Sequence, residues 1–201
     1  AGIAIVLFAQ FKIQGTYKKY KKVPAESTAT GAEVARRILE SNGITDVTVV
    51  QTDGGTLSDH FDPKKKIVAL SPDIYSDNSI ASIAVAAHEV GHAIQHHVGY
   101  KMIDVRNAVL PFAIMAGNIS WVVIILGFAF SYFPLMFVGI GLFSIVALFQ
   151  LVTLPVEFDA SKRALKILQD GNYLYEDEVA GARVMLRAAA FTYVAGLINT
   201  I

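Results

Sequence analysis

Cysteine is absent from all 201 residues. No disulfide can form, and any zinc must be held by histidine and carboxylate rather than thiolate. The absence fits a reducing compartment without requiring one. Charge is scarce, at 17% of residues, where a soluble domain carries about a quarter. Neither sign is in excess, with 17 basic and 17 acidic residues, which argues against nucleic acid as a partner. The scarcity is also local: residues 107–156 contain no Asp, Glu, Lys, Arg or His. A bilayer span takes about 20 apolar residues, so this stretch holds two spans and a short turn. The chain reads as an integral membrane protein. Internal repeats and low-complexity segments are missing as well.

What is present divides the chain into five parts. Residues 1–11 are apolar but too few to cross a bilayer, and read as the inner end of a first span. Lys12, Lys18, Lys19, Lys21 and Lys22 follow, with Tyr17 and Tyr20 among them, which places this flank in the cytoplasm by the positive-inside bias. Residues 12–107 form a cytoplasmic α+β region. Thr30-Gly31-Ala32-Glu33 is a capping box opening a helix that Asn42-Gly43 ends. Val47–Gln51 and Lys66–Leu70 read as strands, Ser71-Pro72-Asp73 as a break, and Ser79–Val98 as a helix. Residues 108–155 are a transmembrane hairpin, with spans at about 109–130 and 134–155 and a turn at Ser131-Tyr132-Phe133-Pro134. Residues 156–187 are again cytoplasmic and helical, and 188–201 begin a last span. The fold class expected is a mainly α membrane protein with a zincin-like α+β catalytic region, a central hairpin and four spans, the outer two incomplete.

The helix at 79–98 carries the chemistry. It contains His88-Glu89-Val90-Gly91-His92, a His-Glu-x-x-His pattern known from metalloproteases. At about 3.6 residues per turn the two histidines stack on one face, where both imidazoles can reach one Zn²⁺. Glu89 lies beside that position, suited to take a proton from the attacking water. Gly91, costly in a helix interior by about 1 kcal/mol against alanine, suggests that another element approaches closely there.

A catalytic zinc needs a third protein ligand and an open position. The metzincin pattern would require glycine at 95 and histidine at 98, and the chain has Gln95 and Val98. Glu157 is the first charge after the hairpin, which returns it to the membrane face it left. His96, His97 and His60 are rivals. Asp159 and Ser161 could orient a ligating histidine, and Arg163, Arg187 or Tyr193 could steady the oxyanion. If Lys66–Leu70 is an edge strand, an extended peptide could add to it.

His88–His96, Leu57–Pro63 and Leu151–Phe158 together resemble the YugP-like neutral zinc metallopeptidases of bacterial membranes. More remotely they are similar to the HtpX and CAAX-processing peptidases. The resemblance implies a zinc-dependent endopeptidase with one catalytic Zn²⁺ on His88, His92 and Glu157, and Glu89 as base. Its substrate would be a protein or peptide, membrane-associated ones included, and it would sit as a multi-pass protein in the cell membrane with its site facing the cytoplasm. The remote relatives carry Asp four residues after the ligand glutamate, where this chain has Ser161. The competing expectation is a non-catalytic scaffold or assembly factor with a closed, four-ligand zinc. A transporter is disfavoured, because the hairpin lacks ionisable residues.

Overall fold

Local sequence signals set the element boundaries in the computed structural model, which describes residues 2–55 and 58–200. Leu57 of the Leu57–Pro63 stretch and the end residues Ala1 and Ile201 lie outside the described residues. The chain forms α1 (Gly2–Tyr20), α2 (Gly31–Ser41), β1 (Thr48–Gln51), β2 (His60–Asp62) and β3 (Ile67–Leu70). There follow α3 (Pro72–Ser76), α4 (Ile80–His97), α5 (Lys101–Ala129), α6 (Phe133–Asp170) and α7 (Glu176–Thr200). The capping box opens α2 as expected: Glu33 N–H donates to Thr30 Oγ1 at 3.2 Å, and Thr30 N–H to Glu33 Oε2 at 3.0 Å. Past the last turn of α2, Gly43 takes φ +70°, a left-handed conformation that glycine adopts without steric cost.

The sheet differs from the sequence reading. Its order is β1-β3-β2, with β1 parallel and β2 antiparallel to β3. The Lys66–Leu70 strand is therefore central, with both edges already paired, and cannot accept a peptide. The free edge on that side belongs to β2, a three-residue strand too short to show alternation. It forms because Asp62 accepts Lys64 and Lys65 N–H in the turn, at 2.9 and 3.0 Å. Asp59 meanwhile accepts from Ser71 N–H at 2.7 Å and from its hydroxyl at 3.1 Å. Pro72 does not only break β3; it sits at the first turn of α3, where its missing N–H costs nothing.

The core gathers the apolar faces of α2, α4, the second half of α6 and the first half of α7. Val34, Ile38, Ile83, Ala84, Val90, Leu168 and Met185 are among its buried residues. Glu178 closes one corner, accepting Glu26 and Tyr175 N–H at 2.8 Å each.

Among the described residues three helices, α5, α6 and α7, are long and apolar enough to cross a bilayer. α5 and α6 form the hairpin, packed through small residues: a Cβ on Gly139 would lie 3.1 Å from the Ser120 carbonyl, and one on Gly127 2.8 Å from Met136 N. Outward, Phe112, Trp121, Ile125, Phe128 and Phe137 are exposed. The proline at 155 does not break the helix. α6 runs unbroken through it, since neighbouring helices can support the one lost backbone bond. Nor does α1 stop at Phe11; it continues through the lysines to Tyr20. It lies antiparallel to α7, with Phe8 stacked edge-on to Phe191 at 6.3 Å and Tyr20 against Gly181.

Candidate metal centre

α4 begins at Ser79, whose hydroxyl accepts Ser82 N–H at 3.2 Å. Its alanines at 81, 84, 86 and 87 are fully buried, so neighbouring helices press close along its length. The closest approach comes at Gly91, where an added Cβ would stand 2.8 Å from the Ala160 carbonyl oxygen of α6. That contact explains the glycine inside the motif. It also brings the turn of α6 bearing Glu157 and Ser161 against the face of α4 bearing the histidines.

There the side chains converge. The His88 and His92 rings sit edge to face with centroids 4.8 Å apart. Glu157 is buried, with Oε2 at 3.3 Å from His88 Nε2 and 3.7 Å from His92 Nε2. Ligand-capable atoms of all three lie within 4.8 Å of one another, the one such cluster of three or more His, Asp or Glu among the described residues. Ligand bonds of about 2.0–2.1 Å in a tetrahedron put donor atoms about 3.3 Å apart, so the set fits a zinc ion after small adjustment. The donors also suit it: two imidazoles and a carboxylate.

A second layer aims these donors. Gln95, fully buried on α4, donates its amide hydrogens to Val156 O and Asp159 Oδ2, at 2.8 Å each. Its Oε1 therefore faces His92 Nδ1 at 3.0 Å. Only an Nδ1–H satisfies that oxygen, which assigns the His92 tautomer and turns its Nε2 lone pair towards Glu157. Asp159 is held in turn by Arg163, whose Nε donates to it at 2.6 Å. On the other histidine, Ser161 Oγ lies 3.2 Å from Nδ1, placed to accept its N–H. Serine thus stands where the remote relatives have a carboxylate, and it reaches the ring directly.

Burial pushes the Glu89 carboxyl above the ordinary glutamate value, opposed by the neighbouring imidazoles. That makes it a stronger base than a solvated glutamate. For His92, burial pulls the imidazole down, but Glu157 and Glu89 beside it more than offset that, and the net direction is up.

The cluster opens into a cavity of about 660 Å³. Residues 59–64, including β2, form one wall, and Ile103, Arg106, Leu110, Pro111 and Ile114 of α5 form another, with Tyr193 of α7 beside Glu157. β2, an edge strand of the sheet, thus lines the cavity. Of the rivals for third ligand, His96 is exposed and stacks near Phe61, ring centroids 6.0 Å apart. His97 is exposed, and His60 lines the cavity with its Nδ1 at 2.8 Å from Ser58 O. Of the oxyanion candidates, Tyr193 lines the cavity; Arg163 is bound to Asp159, and Arg187 is not among the lining residues.

Two residues escaped the sequence reading. Arg106 is the last charge before the uncharged stretch, as Glu157 is the first after it; a hairpin brings both to one place, and that symmetry was available. Gln95, three residues beyond His92, was used only to exclude a motif.

The whole chain, residues 1–201, matches the model of the family described as "Putative neutral zinc metallopeptidase". It is also 43% identical over 195 residues to "Putative membrane protease YugP" of Bacillus subtilis (strain 168), a match covering 97% of this chain and 86% of that protein. No solved structure matches it. The chain belongs to that zinc metallopeptidase family, and with its three long apolar helices it is a membrane protein.

Proposed function

We propose, with membership of that family as the premise, that the chain is a membrane-bound, zinc-dependent endopeptidase. His88, His92 and Glu157 would hold one Zn²⁺ and Glu89 would act as general base. The observation that carries the reading is the meeting of three donor atoms from α4 and α6 at the floor of an open cavity. Zinc bound there supplies Lewis acidity towards a peptide carbonyl and lowers the pKa of a water.

The chain's own residues do the rest. Glu89, raised by burial, accepts a proton from the attacking water and later gives it to the departing amine. Tyr193, in the same cavity, is placed to donate to the developing oxyanion. Gln95 and Ser161 keep both imidazoles turned for metal. The β2 edge offers backbone groups to an extended peptide alongside.

Against a structural zinc stands the missing fourth ligand: among the described residues no further His, Asp or Glu joins the cluster, and a structural site is closed by four. The test is hydrolysis of a casein or peptide-library substrate by purified protein. Glu89→Gln should lower kcat by about 10²–10⁴-fold with zinc content intact, whereas Glu157→Ala should lose the metal. Hydrolysis retained by Glu89→Gln would sink the assignment.

In this reading α1 is a further membrane helix, giving four passes through the cell membrane with the site on the cytoplasmic side. The lysines at the site-side end of α1 support it. The chain has no native cysteine, so single cysteines at Lys18 and Ser131 can be labelled in intact cells. Labelling at Ser131 alone by an impermeant maleimide is expected, and labelling at Lys18 would reverse the orientation.

A further inference from the structure

A second cavity, of about 450 Å³, lies on the membrane side of the metal centre, among α1, α6 and α7. It shares Arg106 and Tyr193 with the first, so the two meet at those side chains. Its lining is polar for such a place: Gln10, Gln150, Thr153 and Thr192 join them. The threonines are already satisfied, Thr153 Oγ1 donating to Phe149 O at 2.8 Å and Thr192 Oγ1 to Ala189 O at 2.6 Å. Two buried polar atoms are not: Arg106 Nε and Gln150 Oε1 have no hydrogen-bond partner among the described residues. An orphaned polar atom in a low-dielectric setting is costly, and ionisable groups inside apolar helices commonly mark a substrate path.

Gln150, Thr153 and Glu157 fall at i, i+3 and i+7 on α6, one stripe leading from the metal centre into the apolar region. Gln10 lines the cavity while remaining exposed, so the cavity is open at α1.

We infer that this cavity holds the backbone of a membrane-inserted polypeptide substrate on its way to the site, resting on the peptidase reading above. The chemistry chooses the occupant. An amide such as Gln150 seeks both a donor and an acceptor, and a guanidinium seeks an acceptor. A peptide group supplies an N–H and a C=O together. A lipid phosphodiester supplies acceptors alone and depends on a separate headgroup hydroxyl or amine to reach the Gln150 oxygen, whereas a peptide group carries donor and acceptor side by side. Continuity does the rest, since a chain leaving the metal centre past Arg106 and Tyr193 enters this cavity directly. The substrate class is therefore a protein cleaved beside a membrane-embedded segment.

The experiment is photocrosslinking to the zinc-loaded full chain carrying Glu89→Gln, in vesicles of phosphatidylcholine and phosphatidylglycerol. The probe is a synthetic peptide with one Leu/Ala span of about 20 residues, a polar extension, and a photoreactive residue at their junction. Adducts should map to residues 149–153 of α6 or 192–196 of α7. Adding Gln150→Leu should cut their yield about tenfold with zinc content unchanged. Gly196→Val, which would narrow the cavity from α7, where an added Cβ would stand 3.2 Å from Gln150 Oε1, should do the same. Adducts confined to the outer face of α5, or yields unmoved by both variants, would overturn the inference. So would Gln150-dependent labelling of this cavity by photoreactive phosphatidylglycerol in place of the peptide. Failure of the peptidase reading shows separately, as peptide capture here without hydrolysis by the unmodified protein.

Discussion

The polar side chains of the two halves of the molecule behave in opposite ways. Around the metal centre they bond across elements: Gln95 of α4 to Val156 and Asp159 of α6, Ser161 of α6 to His88 of α4, and Asp59 to Ser71. In the hairpin they fold back onto their own helix, Ser120 to Gly117 O and Ser144 to Ile140 O. Apolar side chains divide similarly. Ile83 of α4 is 0% exposed and Ile125 of α5 is 62% exposed. The first half is held by its own packing and fixes positions; the second offers its apolar surface to lipid and fixes only that Arg106 and Glu157 start and end on one face. A hydrophobic residue thus means a core contact in one half and a lipid contact in the other.

The sharpest way to break this comparison is to truncate one isoleucine in each half. Ile83→Ala should destabilise the protein by about 2–5 kcal/mol, as cavity-forming substitutions do. Ile125→Ala, on the outer face of α5, should change stability by no more than about 0.5 kcal/mol. Denaturation in detergent micelles would measure both. Equal losses would mean that the outer face of α5 is packed against protein, in a second copy or a partner.

Glycines give a smaller and more local contrast. Gly91→Ala puts a Cβ 2.8 Å from the Ala160 carbonyl and should cost about 1–3 kcal/mol by forcing α4 from α6. Because that contact seats Glu157 against the histidines, zinc content should fall with it. Gly141→Ala, in the hairpin with nothing within 4 Å of the new Cβ, should be neutral or slightly stabilising. A Gly91→Ala protein of full stability and zinc content would show that α4 and α6 can part without loss, and that the metal centre does not depend on their close crossing.

How much of this was legible in the sequence follows the same divide. The ends of α4, the hairpin and its turn could be read because each rests on a local signal: a capping serine, a lack of charge, a Ser-Tyr-Phe-Pro turn. The return of Glu157 to the side of His88 and His92 could be read because a hairpin has only one way to return. β2 could not, since three residues are too few to alternate and its pairing depends on side-chain anchors, Asp59 and Asp62, whose acceptors serve backbone elsewhere. The continuity of α6 through Pro155 was hidden for a related reason: a proline that ends a helix in water can sit inside one supported by neighbouring helices. The role of Gln95 was hidden because its partners lie 61 and 64 residues away.

That residue supplies the smallest effect and the finest test. Gln95→Met keeps the volume and apolar stem of a fully buried side chain, so the fold should survive. It removes the acceptor of His92 Nδ1–H and two donors to α6 at once. His92 then loses the bond that holds its ring and tautomer, and zinc affinity should fall about 10–100-fold, read by competition with a chelating dye. Ser144→Ala in the hairpin, which removes a hydroxyl bonded only to its own helix, should leave zinc affinity unchanged. If Gln95→Met binds zinc as tightly as the parent, the cross-helix bond does not position the histidine. The distinction between the halves would then be one of packing alone, since the best-connected polar side chain near the metal would matter no more than a serine facing lipid.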